Sequence, residues 1–304
     1  MRCLNLLFVL SACTPPNPLL VRGTLFGVAN NRCAVAALSG GDLISSTWTE
    51  CTPSSPLDAV PGRSDDGWFV AFTDTDSGQR KLFDPSGRLL ATGNSSLTAF
   101  TGYGGRWYAA SATTLEVFDG TRFGPAQGTS SSTSYFDIGS NGAALFSLEV
   151  DASRKTLVRE HLVSGGSLVP GRIVELPRLS EAVRIAETDA TSVLLTERTR
   201  SLWARVSLDG SSTGAWVAGS QGCLGGNALH VFSSPLLQRF AGGASSQAQL
   251  PDIDGILCTC DPERVLLLRG ASLAAFDWRT QVVTAMPSDV MVTYRMLLTC
   301  AQQD

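Results

Sequence analysis

GILCTC (255–260), RVLLLRG (264–270), SLAAFDW (272–278) and QVVTAMP (281–287) are four short apolar runs set nearly end to end late in the chain. Each is rich in aliphatic, β-branched or aromatic residues, and Gly, Asp or Pro punctuates the joints, with Asp261-Pro262-Glu263 between the first two. That is the composition of antiparallel strands joined by tight turns. Read in order, they make a four-stranded meander with an inner strand first and an outer strand last.

The same order recurs upstream. LDAVPG (57–62), GWFVAFTD (67–74), QRKLFDPSG (79–87) and RLLATG (88–93) form one copy; LTAFTG (97–102), RWYAASA (106–112), TLEVFDG (114–120) and TRFGPA (121–126) form the next. Further copies start near Tyr135, Glu181 and Gln221. The turn before the outer strand is the most regular element: LSGGDL, FDPSGRL, FDGTRF, LVSGGSL, LDGSSTGAW, FAGGAS and FDWRTQV, anchored at Ser39, Asp84, Asp119, Ser164, Asp209, Gly242 and Asp277. The steps between anchors are 45, 35, 45, 45, 33 and 35 residues, and a period of about 40 marks propellers and solenoids. EAVRIAETDATSVLLTERTR (181–200) also fits an amphipathic helix, but its Thr-Asp-Ala-Thr break and the β-rich TSVLL favour two strands.

The two ends complete each other. Residues 23–48 offer three strands (TLFGVAN, RCAVAAL, DLISSTW), and the chain finishes on one extra, VTYRMLLTC. Joined, they make one mixed blade, which closes a ring and removes its open edge. The expected fold is all-β, a single seven-bladed β-propeller over 23–304; an open β-solenoid or a pair of sandwiches is the competing architecture.

The chain has 304 residues, a length that closed all-β folds fill as one domain. Charged residues make up only 16%, and 27 Asp and Glu against 23 Lys and Arg leave a net charge of -4. No basic run is present to neutralise a row of phosphates, so a nucleic-acid partner is not expected.

MRCLNLLFVLSAC (1–13) reads as a charged start, an apolar stretch and small residues before a cysteine. Leu10-Ser11-Ala12-Cys13 resembles the lipobox of bacterial lipoproteins, in which the cysteine is acylated and becomes the mature N-terminus. The resemblance implies a signal peptide over 1–12, lipidation at Cys13 and a Pro-rich tether over 13–22, with the body held at the membrane of a bacterial envelope. Thr14 stands where inner-membrane retention signals carry aspartate, which points to the outer membrane, on its periplasmic or surface side. The plainer alternative is an ordinary cleaved signal or a misplaced start codon, because the apolar stretch is short.

With Cys3 removed and Cys13 lipidated, Cys33, Cys51, Cys223, Cys258, Cys260 and Cys300 remain. In an oxidising compartment an even set implies disulfides. Cys33 and Cys51 flank a local hairpin and are expected to pair. The other four fall on innermost strands of neighbouring blades; Cys258 and Cys260 share a face, so one is expected to bond Cys223 and the other Cys300. A four-thiolate zinc site or a thiol redox pair is the alternative, but C-x2-C knuckles are absent.

Chemistry-bearing motifs are sparse. His161, in an apparent third strand, and His230, at the end of an apparent second strand, read as structural histidines. No G-x-S-x-G, H-E-x-x-H or Walker loop occurs. Asp74-Thr75-Asp76-Ser77-Gly78 gathers hard oxygen ligands, with Asp74 and Asp76 as calcium candidates, against the plainer reading of a solvated hairpin; no other cofactor is expected. Asp84, Asp119, Asp209 and Asp277 are explained by turn amides that need acceptors. Trp48, Trp68, Trp107, Trp203, Trp216 and Trp278 suit wedges between blades.

AFDWRTQVV and SLDGSSTGAW resemble the Ala-Leu-Asp…Thr-Gly…Trp ending of quinoprotein-like (PQQ-like) propeller repeats; WD40-like repeats share the architecture. In the first copy Gln281 replaces the family glycine and the tryptophan is missing; in the second, Ser211-Ser212 adds a residue. The resemblance implies a propeller but does not imply a bound quinone, because such repeats also occur in noncatalytic assembly lipoproteins of bacterial outer membranes. The expected function is therefore a noncatalytic scaffold or binding module with an envelope protein partner. The alternative is a carbohydrate-active enzyme, a glycosidase or lyase with carboxylates at the channel mouth; a bare envelope spacer is the third reading.

Overall fold

In the computed structural model the apolar runs become strands and their Gly, Asp and Pro joints become turns. Side chains are described for most of 97–104, 106–129, 134–140, 144–177, 183–188, 191–197, 199–210, 214–259, 261–270 and 272–285, and chiefly the backbone for the strands at 22–29, 32–39, 42–50, 60–64, 67–73, 80–83, 89–93 and 297–299. Cys13, Cys51, Asp74, Asp76, Cys260 and Cys300 lie outside the described residues.

The described chain is all-β, without helices. β1 (Arg22–Ala29), β2 (Arg32–Ser39) and β3 (Asp42–Glu50) begin one sheet. β4 (Val60–Ser64), β5 (Gly67–Thr73), β6 (Arg80–Phe83) and β7 (Leu89–Gly93) form the next, followed by β8 (Leu97–Tyr103), β9 (Arg106–Ser111), β10 (Leu115–Phe118) and β11 (Phe123–Pro125). Then come β12 (Ser134–Ser140), β13 (Leu145–Val150), β14 (Thr156–Ser164) and β15 (Ser167–Leu176), and β16 (Val183–Thr188), β17 (Ser192–Glu197), β18 (Leu202–Ser207) and β19 (Val217–Ala218). The last two groups are β20 (Gln221–Gly225), β21 (Ala228–Ser233), β22 (Leu236–Ala241) and β23 (Ala244–Gln249), and β24 (Gly255–Cys258), β25 (Arg264–Arg269), β26 (Ser272–Asp277) and β27 (Val282–Ala285). β28 (Leu297–Thr299) pairs with β1, Leu298 opposite Leu25, so one four-stranded sheet is built from both ends of the chain. The ambiguous segment 181–200 is two strands, β16 and β17.

The turn anchors among the described residues, Ser39, Asp119, Ser164, Asp209, Gly242 and Asp277, lie at the third joint of their sheets. The aspartates there act as turn acceptors. Asp119 Oδ1 receives the N–H of Arg122 and both the hydroxyl and the N–H of Thr121, which lower its pKa to about 2. Asp277 Oδ1 receives the N–H groups of Thr280 and Arg279, and its pKa is lowered for the same reason.

Successive first strands, from β4 through β8, β12, β16, β20 and β24 to β28, run against one another, so the sheets stack face to face and bury both faces. That is why β17 (SVLLTE) is buried along its whole length instead of alternating. Phe146, Leu148 and Val158 of the β12–β15 sheet meet Val183, Val193 and Leu195 of the next. Fully burying a side chain of this size contributes about 1.5–3 kcal/mol. Trp203 wedges between sheets: a Cβ at Gly222 would stand 2.4 Å from its ring, and its Nε1 donates to the Gly219 carbonyl at 2.9 Å. Trp278 packs with Phe276 in the last described sheet–sheet layer, the rings nearly perpendicular. Trp107 stands on β9 and Trp216 just before β19, while Trp48 and Trp68 fall on β3 and β5.

Candidate functional site

Each first strand is an edge strand, and its outward N–H groups need acceptors that no ladder supplies. Among the described residues three side chains supply them across sheet boundaries. Asp137 on β12 accepts from Ile185 N on β16 at 2.8 Å. Glu187 on β16 accepts from Leu224 N on β20 at 2.5 Å. Gln221 on β20 accepts from Ile256 N on β24 at 2.8 Å. A run of side-chain stitches thus follows the inner edge from one sheet to the next.

Two of the three sit on register shifts. The β12–β13 pairing slips between Tyr135 and Asp137, and the β16–β17 pairing slips between Ile185 and Glu187; a similar slip lies between Leu97 and Ala99 on β8. A bulge of this kind re-aims the side chain beside it. After the slip, Glu187 faces Leu194 and Arg184 faces Thr196, which places Arg184 and Glu187 on one face of β16. Arg184 is partly buried and donates to the carbonyl of Val183.

The two carboxylates differ in access. Asp137 is 7% exposed, with Oδ1 receiving Ile138 N at 2.9 Å and Oδ2 receiving Ile185 N. Both of its oxygens are engaged as acceptors, so it is poorly placed to donate a proton. Glu187 is partly exposed. A partly exposed carboxylate that shares a strand face with an arginine has the elements of a general base with a cationic residue on the same strand.

The histidines lie elsewhere. His161 is on β14, a third strand, buried and in contact with Ser147 of β13. Ser147 Oγ donates to Glu149 Oε2 at 3.0 Å, so the contact of 2.7 Å with His161 Nε2 has the imidazole as donor. Arg159 Nε closes the cluster on Glu149 Oε1 at 2.5 Å. This wiring runs Glu–Ser–His, with the hydroxyl in the middle and fully buried, and it does not make Ser147 a nucleophile relayed through histidine. Burial, with the Arg159 charge second, lowers the His161 pKa to about 4. His230 lies in the middle of β21 rather than at the end of a strand. Burial first, and Arg239 second, lowers its pKa to about 3. Both rings are neutral and apart from the inner-edge carboxylates.

Cys223 is bonded to Cys258, with Cα atoms 5.6 Å apart, joining β20 to β24. Cys33 lies on β2 with Thr49 as its backbone partner; the pairings with Cys51 and Cys300 and the Asp74–Asp76 calcium candidate fall outside the described residues. Among the described residues no cluster of three or more His, Cys, Asp or Glu side chains is placed to hold a metal. Asp137, Glu187 and Gln221 were not singled out by the sequence. Their signal was weak: a polar residue interrupting an apolar first strand, YFDIG and RIAET in particular.

Solved structures share this architecture. A chain from Bacteroides uniformis named as a putative 6-phosphogluconolactonase is 13% identical, with 92% of this chain and 100% of that chain covered and a TM-score of 0.58. One of the same name from Bacteroides fragilis is 13% identical, covering 94% and 99%, with a TM-score of 0.55. A protein from Lactobacillus plantarum is 14% identical, covering 92% and 98%, with a TM-score of 0.52. At such identities the likeness is one of fold, and it places the chain in the β-propeller class. No family model matches the chain, the quinoprotein-like repeat included, and no curated protein matches it. The noncatalytic scaffold expected from the sequence is corrected here. Propellers that match over nearly their whole length carry the name of a putative enzyme.

Proposed function

We propose that the chain is a carbohydrate-directed propeller enzyme that hydrolyses the ring ester of a sugar lactone, with Glu187 as the base. The observation that carries this reading is the bulged first strand β16, which sets the partly exposed Glu187 carboxylate at the inner edge on the same face as Arg184. In the reaction, Glu187 takes a proton from a water as that water's oxygen attacks the lactone carbonyl carbon. Arg184 faces the negative charge that develops on the carbonyl oxygen. The ring C–O bond then breaks, the ring oxygen takes up the proton, and the open hydroxy acid leaves.

Lactone hydrolysis fits better than glycosidic cleavage. A glycosidase needs two carboxyl groups flanking the bond, one of them protonated, whereas Asp137 uses both oxygens to accept amide hydrogens. An activated ester needs only one base. The names of the similar propellers from Bacteroides point the same way.

The reading includes a closed ring of seven blades, for which the mixed β28–β1–β2–β3 sheet and seven turn anchors are the support. It also includes export and lipidation at Cys13, on the pattern Leu10-Ser11-Ala12-Cys13, and a Cys260–Cys300 bond beside Cys223–Cys258. The test is hydrolysis of glucono-δ-lactone and of its 6-phosphate by the purified protein, followed against spontaneous opening, with chromogenic glycosides in parallel. Acceleration of a lactone alone supports the proposal; cleavage of glycosides alone, or of nothing, overturns it.

A further inference from the structure

His230 and Cys223 are direct partners across the β20–β21 ladder, so ring and sulfur stand on one face. Trp278 Nε1 donates to His230 Nδ1 at 3.2 Å. An indole N–H is only a donor, which makes Nδ1 the acceptor and leaves the ring proton on Nε2. That N–H is fully buried and has no hydrogen-bond partner. It lies close to Gly225 and the Thr259 carbonyl: a Cβ at Gly225 would crowd both, at 3.0 Å from Nε2 and 3.1 Å from Thr259 O.

A buried donor without an acceptor costs about 1–3 kcal/mol and calls for a reason. Thr259 directly follows Cys258, which is 2% exposed, whereas its partner Cys223 is partly exposed. Access to the disulfide is therefore from the Cys223 side, and opening it from that side places a thiolate on the buried sulfur. That sulfur belongs to the residue directly before Thr259, whose carbonyl lies on the Nε2 side of the ring.

We infer that Cys223–Cys258 is an exchangeable clasp between two inner strands, opened by an external dithiol at Cys223, with the His230 N–H receiving the Cys258 thiolate. The dithiol's thiolate attacks Cys223 Sγ and forms a mixed disulfide. The bond to Cys258 breaks, and its electron pair goes to Cys258 Sγ. The dithiol's second sulfur then displaces Cys223, leaving the dithiol oxidised by two electrons and the protein disulfide reduced; solvent supplies the protons of the two product thiols. Burial and the Arg239 charge keep His230 neutral, so it acts as a hydrogen-bond donor and transfers no proton. Opening the clasp leaves this seam to the Gln221 stitch and the apolar layer around Phe232, Ile256 and Trp278.

The test treats the full-length oxidised protein with dithiothreitol under native conditions, quenches by alkylation and reads Cys223 and Cys258 peptides by mass. Both thiols are expected to appear without denaturant. His230→Leu is expected to slow their release about tenfold, while His230→Gln, which keeps an N–H donor, restores most of the rate. A monothiol is expected to be captured on Cys223. If His230→Leu does not fold, Trp278→Phe carries the test: it lets the ring proton move to Nδ1, and a slower release is expected. Thiols that appear only in denaturant, equal rates in the parent and the folded variants, or capture on Cys258 would overturn the inference.

Discussion

The two seams flanking the β20–β23 sheet are closed by different chemistry. Toward β16 the inner edge is joined by a charged side chain, Glu187 on Leu224 N. Toward β24 it is joined by a neutral amide, Gln221 on Ile256 N, and by the Cys223–Cys258 bond. Both satisfy the same need, an acceptor for an edge-strand N–H. Where a covalent bond holds the strands, the stitch is uncharged; where it does not, a carboxylate remains at the inner edge. On the proposed reading, chemistry falls to the first seam and mechanical closure to the second.

The largest effect expected is on activity at the charged seam. Glu187→Gln keeps an oxygen for Leu224 N and removes the base, so lactone hydrolysis falls about 10²–10⁴-fold, the usual contribution of a general base. The thermal midpoint stays close to that of the parent. Steady-state rates beside a melting curve check both halves.

Acid provides the next largest effect, and it acts on the closed layers away from the edge. His161 and His230 have folded pKa values of about 4 and about 3, below the 6.5 of the free side chain. The unfolded chain therefore binds more protons as pH falls below 6.5, and stability is lost from there down toward pH 4 and 3. Each ring contributes on the order of 3 kcal/mol to that loss. Urea midpoints between pH 7 and 4 should drop, and His161→Gln should flatten the profile; a midpoint independent of pH contradicts the buried neutral state.

The mechanical seam follows. Replacing both Cys223 and Cys258 with serine removes a crosslink spanning 35 residues and should cost about 2–4 kcal/mol, with lactone turnover at saturating substrate unchanged. Asp137→Asn is smaller, about 1–3 kcal/mol, because one of its two amide partners faces a donor instead of an acceptor. Chemical denaturation of both variants ranks them, and the reverse order would break the contrast between the seams.

Much of the architecture was readable because turn chemistry is local. Asp119 and Asp277 mark turns whose amides need an acceptor within three residues, and the Thr-Asp-Ala-Thr break separates β16 from β17. The function was misread for the opposite reason. Asp137, Glu187 and Gln221 bond to amides 48, 37 and 35 residues away, and the bulges that aim the first two depend on pairing partners, not on composition. His161 and His230 were legible as structural, but the unpaired N–H of His230 is set by Trp278, a contact across 48 residues that no spacing rule marks. The six cysteines narrowed the crosslinks without choosing between Cys258 and Cys260; the bond between β20 and β24 falls on Cys258.

The most direct test of the central claim is the initial rate of sugar-lactone opening, measured above the spontaneous rate, for the parent protein and Glu187→Gln at equal folded concentration. A clear acceleration by the parent that Glu187→Gln loses is the result expected from a base at the inner edge. No acceleration by the parent, or full activity in the variant, would contradict it.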